Sequence, residues 1–427
     1  MKIYLDTIGC RLNQSEIETF ARQFRAAGHE IVSNPEQADL AVVNTCAVTI
    51  QAAADSRKTI RHIARAGVDE IAVTGCWATL EPHEALALPG VQRVVTNDHK
   101  EGLVSQVLHL PQESFDLEPL ARQPLPGARL RTRAFIKVQD GCDNRCTFCI
   151  TTVARGAGRS RPLSEVLADI RAALDGGAQE VVLTGVHLGS WGKDFTPRRH
   201  LRHLVEAILT RTAAPRVRLS SLEPWNLNAG FFELWQEPRL CRHLHLPLQS
   251  GSNATLRRMA RKTTQASFSA LIEAARAVAP DIAITTDIIV GFPGETETEF
   301  EESLAFVQQM AFAGGHVFTY SPRKGTAAAH MPAQVPHPVR KARNARMQQV
   351  IAACEEHYRA QFVGQTRQVL WESAVALGPE GWQVSGLTDN YLRVQAGAPQ
   401  ILWNQLSTVR LTALRSDGLE GVLVSGG

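Results

Sequence analysis

"AFIKVQDGCDNRCTFC" (Ala134–Cys149) decides how this chain is read. "AFIKVQD" is rich in apolar and β-branched residues and reads as a short strand. Directly past it stand Cys142, Cys146 and Cys149, in a Cys-x3-Cys-x2-Cys spacing. A loop this short wraps its three thiolates around one centre. A structural zinc site takes four ligands, and so does a fully ligated iron–sulfur cluster. Two readings follow. One is a cubane cluster whose fourth iron keeps an open coordination position, as catalytic metal sites do for a substrate. The other is a zinc knuckle that borrows a distant Cys or His.

Downstream, five more strands recur between helical stretches: "EVVLTGV", "RVRLSS", "HLHLPL", "IAITTDIIVGF" and "GHVFTYS". Six βα units joined by right-handed crossovers make a parallel partial barrel, too few for a closed eight-fold one. A basic amphipathic helix follows, from about Pro338 to Phe362. The chain then turns to short strands separated by Gly, Pro, Asn and Asp, the pattern of a separate small β-barrel. Upstream, "KIYLDTI", "DLAVVNT", "EIAVTG" and "VQRVVT" alternate with helices, as in a doubly wound α/β sheet. Ser15 with Glu18 three residues on reads as a capping box opening the first helix. The expected organisation is an α/β domain over 1–112, a proline-rich linker over 113–128, the partial barrel over 129–358 and the small barrel over 359–427.

The amino-terminal strands carry a second set of thiols. Cys10, Cys46 and Cys76 each fall just past the carboxyl end of a predicted strand. In a parallel sheet those ends share one rim, where ligands bind. Three thiols there suit a soft metal or an iron–sulfur cluster; the alternative is three unrelated buried cysteines. Cys241 and Cys354 have no such placement and read as structural.

Composition narrows the setting. Eight cysteines in 427 residues are too few for a disulfide-stapled fold. The first residues do not resemble a cleavable signal, and no long uncharged apolar run is present, so a cytoplasmic protein without a membrane span is expected. A net charge of +3 neither demands nor excludes nucleic acid. The basic residues do cluster, at Arg155, Arg159 and Arg161, at Arg257, Arg258, Arg261 and Lys262, and at Arg340, Lys341, Arg343 and Arg346. Each cluster is either a solvated face or a phosphate-binding one.

The Cys-x3-Cys-x2-Cys loop on the first strand of a six-unit barrel resembles the radical S-adenosylmethionine enzymes. The additional amino-terminal cysteines and the terminal barrel make the whole chain similar to the methylthiotransferases among them. "GCDNRCTFCI", "RGAGRSRP", "LPLQSGSNATLRRM", "TTDIIVGFPGET" and "YSPRKGT" carry the likeness, and "SGLTDNYLRV" resembles the TRAM domain, an RNA-binding barrel of the OB type. The resemblance implies that Cys142, Cys146 and Cys149 hold a 4Fe-4S cluster that binds S-adenosylmethionine. It also implies that Cys10, Cys46 and Cys76 hold a second 4Fe-4S cluster with an open iron, on which sulfur is carried and methylated. Reductive cleavage of S-adenosylmethionine gives a 5'-deoxyadenosyl radical that removes hydrogen from an unactivated carbon, so the cofactor carries the hard step. An electron donor of flavodoxin or ferredoxin type and a sulfur source are implied partners.

Further contacts are expected at the strand ends, which face the active site in such barrels. These are Thr184 and Gly185 for the methionine amino group, Gln249 and Ser250 for ribose, and Gly291 for close approach of adenine. His187 lies near the same rim, as a substrate contact or a packed histidine. Branches of the family act on isopentenyladenosine in tRNA, threonylcarbamoyladenosine in tRNA, or an aspartate of a ribosomal protein. "TIGCRLNQSE", "TGVHLGSWG" and "RLSSLEP" are most similar to the threonylcarbamoyladenosine branch. Trp77, Thr151 and Thr152 depart from the family's habit and are expected to lie off the cluster ligands. From residue 360 onward four arginines face five acids, so the terminal barrel is not basic. If it grips tRNA it is expected to use shape and stacking, with Trp382 or Tyr391. Phosphate contacts would then fall to Arg155, Arg159, Arg340, Lys341 and Arg343. The alternative classes are an iron–sulfur redox-sensing RNA-binding protein without catalysis and a zinc-dependent nucleic-acid module.

Overall fold

Apolar strands that are buried on both faces pair in parallel and need helices on each side. In the computed structural model, which describes residues 1–111, 132–378 and 381–424, five such strands form the first sheet. They are β1 (Lys2–Thr7), β2 (Glu30–Val32), β3 (Leu40–Thr45), β4 (Ile71–Gly75) and β5 (Val91–Val95), paired in the order β2-β1-β3-β4-β5. Every residue of β3 and β4 is buried. The short edge strand β2 has too little pattern to be read from sequence. The linker expected over 113–128 lies outside the described residues.

The first helix begins earlier than its capping box suggested. It spans Arg11–Ala26 with Cys10 as its N-cap. Ser15 lies inside it, and its hydroxyl accepts a hydrogen bond from the Lys137 amide at 3.0 Å. The serine therefore ties this helix to the next domain instead of capping it.

That next domain is the partial barrel. Its strands are β6 (Arg133–Lys137), the short antiparallel pair β7 (Gln139–Asp140) and β8 (Arg159–Ser160), then β9 (Glu180–Thr184), β10 (Arg216–Leu219), β11 (His243–His245), β12 (Ala283–Val290) and β13 (Gly314–Thr319). Parallel pairing gives one half, β6-β9-β10, and another, β11-β12-β13. A parallel bridge between Ser221 and His245 joins the halves. Six parallel strands thus curve around a core that includes Ile136, Leu183, Leu219, Leu244 and Ile288, all at most 1 % exposed. The helix expected from Pro338 spans His337–Ala360. It runs through the boundary drawn at residue 358, and its Tyr358 already packs into the terminal barrel's core.

The terminal strands β14 (Thr366–Gly378), β15 (Gly381–Thr388), β16 (Arg393–Ala398), β17 (Leu406–Arg415) and β18 (Gly418–Leu423) close into a barrel, in the order β14-β15-β16-β18-β17. Two buried arginines of β10 dock it. Arg216 donates to the carbonyls of Leu387 and Gln368 at 3.0 and 2.6 Å, and Arg218 to that of Asp389 at 2.9 Å. Arg218 is also held by Glu180 at 2.6 Å, so its charge is compensated. Among the described residues no helix is long and apolar enough to cross a membrane.

A buried ion cluster joins the first domain to the partial barrel. Glu16, on the inward face of the first helix, meets Lys100 at 2.5 Å and Arg155 at 2.9 Å. Asp140 meets Arg155 at 2.9 Å and Lys137 at 3.1 Å. Asn44 donates to Glu16 at 3.0 Å, and Arg155 donates to Asn13 at 2.7 Å. Burial opposes the charge on Glu16, yet Arg155, Lys100 and Lys137 hold its carboxyl well below the usual range. Asp140, despite its burial, is drawn down to about 2 by Lys137 and Arg155.

Removing one partner of such a cluster strands the others. Glu16→Ala is expected to cost about 3 kcal/mol or more of unfolding free energy in a urea titration. A loss under about 1 kcal/mol would show that the cluster is not structurally committed. Because the Asp140 carboxyl is depressed, its contribution is complete above the ordinary value near ~4 and is lost as pH falls through about 2. Asp140→Asn is expected to flatten the pH dependence of stability across that interval.

Candidate active site

The strand ends of the first sheet and of the partial barrel open onto one cavity of about 990 Å³. Cys10, Cys46, Cys76, Cys142, Cys146 and Cys149 all line it. Cys10 caps the first helix and is exposed to the cavity. Cys46 follows β3, and Cys76 opens the short helix Cys76–Leu80 after β4. Gly9 leaves the room Cys46 needs: a Cβ there would lie 2.6 Å from the Cys46 Sγ. Cys142 and Cys146 sit on the loop after β7, and Cys149 caps the helix Ile150–Arg155.

All six are free thiols, and each of the two sets is close enough for its members to influence one another's ionisation. Burial pushes Cys46 and Cys142 each up to about 11. As bare thiols they are protonated at neutral pH, so metal binding would release protons. Donors already point at several sulfurs. The Asn144 amide approaches Cys142 at 3.4 Å, Arg261 approaches Cys146 at 3.8 Å and Asn97 approaches Cys76 at 3.8 Å. Thr152 was expected to lie off the ligands, but its hydroxyl reaches Cys149 at 3.4 Å.

Three free thiols in each set, with N–H and O–H donors aimed at sulfur, are a donor set that fits a thiolate-ligated iron–sulfur cluster.

The expected cofactor contacts divide. Thr184, Gly185 and Gln249 line the cavity. Ser250 does not: it is 1 % exposed, and its hydroxyl accepts from the Ser252 amide at 3.2 Å. Gly291 is also away from the cavity lining. Its missing side chain makes room for Arg340, whose Cγ would lie 2.2 Å from a Cβ there, so the glycine serves the packing of the helix that carries Arg340. His187 is a packed histidine, with Nδ1 against Asn144 at 3.3 Å and Nε2 against Asn226.

The arginine clusters divide too. Arg155 is 1 % exposed and belongs to the buried ion cluster, so it is removed from the phosphate-binding candidates. Arg343 is likewise withdrawn: it is buried against Glu295 at 2.8 Å and Glu297 at 2.9 Å. Arg340 donates to the Tyr320 carbonyl, and Arg346 pairs with Glu297 and Glu301. These pairs dock the last barrel helix on Glu297–Met310. Only Arg159 and Lys341 of the five named arginines and lysine are exposed. Tyr391 lines the cavity, whereas Trp382 packs against the terminal barrel's core.

Some roles escaped the sequence reading. Arg261, read there only as part of a basic cluster, is buried, pairs with Glu223 at 2.7 Å and lies over the Trp225 ring at 4.5 Å, beside Cys146. His245 bridges Thr285 at 3.0 Å and Asp287 at 3.2 Å in the cavity wall. No local motif marks these contacts: Arg261 meets a residue that follows β10, and His245 meets residues of the neighbouring strand β12. Glu16 was more accessible to reasoning: it is an acid on the same helix face as Ile17, Phe20 and Phe24.

Residues 2–96 match the model of "Uncharacterized protein family UPF0004" and residues 136–307 that of the "Radical SAM superfamily". The fold is also that of a radical S-adenosylmethionine methyltransferase, TsrM from Kitasatospora setae, solved with cobalamin and a [4Fe-4S] cluster (TM-score 0.59, 14% identity, 77% of each chain). Fold and site together define a radical S-adenosylmethionine enzyme, a class that implies that cofactor and a 4Fe-4S cluster. The chain is 37% identical to "Threonylcarbamoyladenosine tRNA methylthiotransferase MtaB" of Bacillus subtilis (91% of this chain, 88% of the relative). It is 35% identical to the protein of the same name from Thermotoga maritima (98% and 96%). To "tRNA-2-methylthio-N(6)-dimethylallyladenosine synthase" of Geobacillus kaustophilus it is 31% identical (99% and 82%). The chain belongs to the radical S-adenosylmethionine methylthiotransferase family.

Gly141 precedes the Cys142–Cys149 loop at φ +65°, and a Cβ there would lie 1.9 Å from the Ala157 carbonyl oxygen. Gly141→Ala is expected to displace Cys142 and at least halve the iron bound by the Cys142, Cys146 and Cys149 loop. Iron assay after anaerobic reconstitution, with circular dichroism to check folding, measures this. Full iron content in a folded variant would contradict it.

Proposed function

We propose that this enzyme is a tRNA methylthiotransferase that converts N6-threonylcarbamoyladenosine at position 37, next to the anticodon, into its 2-methylthio derivative. The observation that carries the reading is the convergence of two cysteine triads on one cavity. The names of the relatives at 35–37% identity support the substrate. Cys142, Cys146 and Cys149 would hold the cluster that binds S-adenosylmethionine. Cys10, Cys46 and Cys76 would hold a second 4Fe-4S cluster at the sulfur-transfer side. When bound, these groups supply the one-electron chemistry and the methylthio group that no side chain provides.

The protein's own share is placement. Thr184 and Gly185 on the β9 end and Gln249 after β11 flank the space beside the Cys142 loop. Their backbone and amide groups would orient the cofactor's methionine and ribose. Arg261 and Asn144 place donors on the sulfurs of Cys146 and Cys142, which favours thiolate over thiol. The ion cluster centred on Glu16 and Arg155 keeps the two triads in register, so a substrate base entering between them meets both. The exposed Arg159 and Lys341 are the remaining phosphate contacts of the original set. An electron donor and a sulfur source complete the reaction from outside the chain.

Three measurements test this. Reconstituted enzyme is expected to carry about eight irons, by four per cubane. Replacing either cysteine triad with alanine is expected to remove about four, and an unchanged iron count after replacing Cys10, Cys46 and Cys76 would eliminate the second cluster. Mass spectrometry of tRNA nucleosides from cells lacking the gene is expected to show loss of 2-methylthio-N6-threonylcarbamoyladenosine. Loss of only the isopentenyl analogue would reassign the substrate. Absence of 5'-deoxyadenosine on reduction with S-adenosylmethionine would favour a non-catalytic iron–sulfur protein.

A further inference from the structure

Three parts of the chain meet beside Cys10 and leave a positive charge with no carboxylate partner among the described residues. The turn after β15 brings Tyr391 from the terminal barrel into the cavity wall. There its ring stacks on His243 of β11, with centroids 4.5 Å apart and planes inclined by 11°. Arg11, the residue after Cys10, donates to the Tyr391 hydroxyl at 2.8 Å. Arg218 lies over the same ring at 5.0 Å. Arg133 of β6 completes the group, and all three guanidiniums draw the Tyr391 phenol down against the effect of its burial.

Two of these cations are compensated. Arg133 meets Glu372 at 2.8 Å, and Arg218 meets Glu180 at 2.6 Å. Arg11 has no carboxylate within ion-pair distance among the described residues; its hydrogen-bond partner is the Tyr391 hydroxyl. The acids in the cavity lining are engaged elsewhere: Glu223 with Arg261, Asp287 with His245, Glu355 with Arg359 and Asp417 with Arg415. His243 offers no counter-charge, and burial with the surrounding arginines holds its imidazole well below the usual range, which disfavours a further cation there.

We propose that Arg11, oriented by Tyr391 and backed by Arg133, binds the carboxylate on the N6 side chain of the substrate base. This rests on the reading of the substrate as threonylcarbamoyladenosine. The side chain of that base ends in a carboxylate, which a guanidinium binds with two charge-assisted hydrogen bonds. Position favours this anion over a backbone phosphate. Arg11 adjoins Cys10 in a cavity that admits an extruded base, while the phosphodiester chain stays at the mouth. A dimethylallyl group in the same place would leave Arg11 desolvated and unpaired, so the site also selects against the apolar substrate.

The test uses the reconstituted full-length enzyme and two anticodon stem-loops, one with threonylcarbamoyladenosine and one with plain adenosine at position 37. The wild type is expected to bind the first more tightly. Arg11→Met is expected to cut that preference about tenfold, the scale of a charged hydrogen bond, and Arg11→Lys to restore part of it. Binding of the plain stem-loop monitors folding in the same variant. A preference unchanged in Arg11→Met would overturn the proposal, and so would an equal loss on both stem-loops, which marks a phosphate or purely structural contact. If the wild type shows no preference for the carboxylate, the substrate reading itself falls and takes this inference with it.

Discussion

The two thiol sets can serve one reaction only if two separately folded sheets are held in fixed relation. The ion cluster around Glu16 provides that relation. A salt bridge taken out of water is costly, and it stabilises only when every member is satisfied. Here Glu16 comes from the first helix, Lys100 from the end of the first domain, and Lys137, Asp140 and Arg155 from the partial barrel. Asn13 and Asn44 supply the remaining hydrogen bonds. The same few residues lie next to the two cysteine triads in sequence. Cys10 precedes the helix that carries Glu16, Asp140 is two residues before Cys142, and Arg155 ends the helix that Cys149 caps. The join between domains and the spacing between triads are therefore one set of contacts.

The active-site cavity belongs to no single domain. The first sheet contributes one triad, the partial barrel the other triad and the strand ends, and the terminal barrel the turn with Tyr391. Positive charge gathers where the three meet, while the terminal barrel as a whole carries one more acid than base over 360–427. Local field and net charge therefore differ in sign at that module.

Much of this was legible in the sequence, for reasons that can be named. Strand-then-cysteine placement works because parallel strands share a rim, so Cys10, Cys46 and Cys76 were brought together by topology alone. The barrel strands announced themselves through β-branched runs at regular spacing. What failed was anything decided across the fold. Ser15 looked like a cap because capping is a local pattern, but the Lys137 amide claimed its hydroxyl. Arg155 and Arg343 looked like free charge because their carboxylate partners lie far away in sequence or on a facing helix. Ser250 and Gly291 stood at the right strand ends, yet period alone does not say which way a loop residue turns.

The dock between the partial barrel and the terminal barrel has a consequence for how this architecture diversifies. Arg216 and Arg218 grip carbonyl oxygens of Gln368, Leu387 and Asp389. Every residue has such an oxygen, so the contact reads the path of the barrel's chain and is indifferent to most of its side chains. The seat of the terminal barrel over the cavity therefore tolerates changes in the side chains of Gln368, Leu387 and Asp389 that leave the backbone path intact.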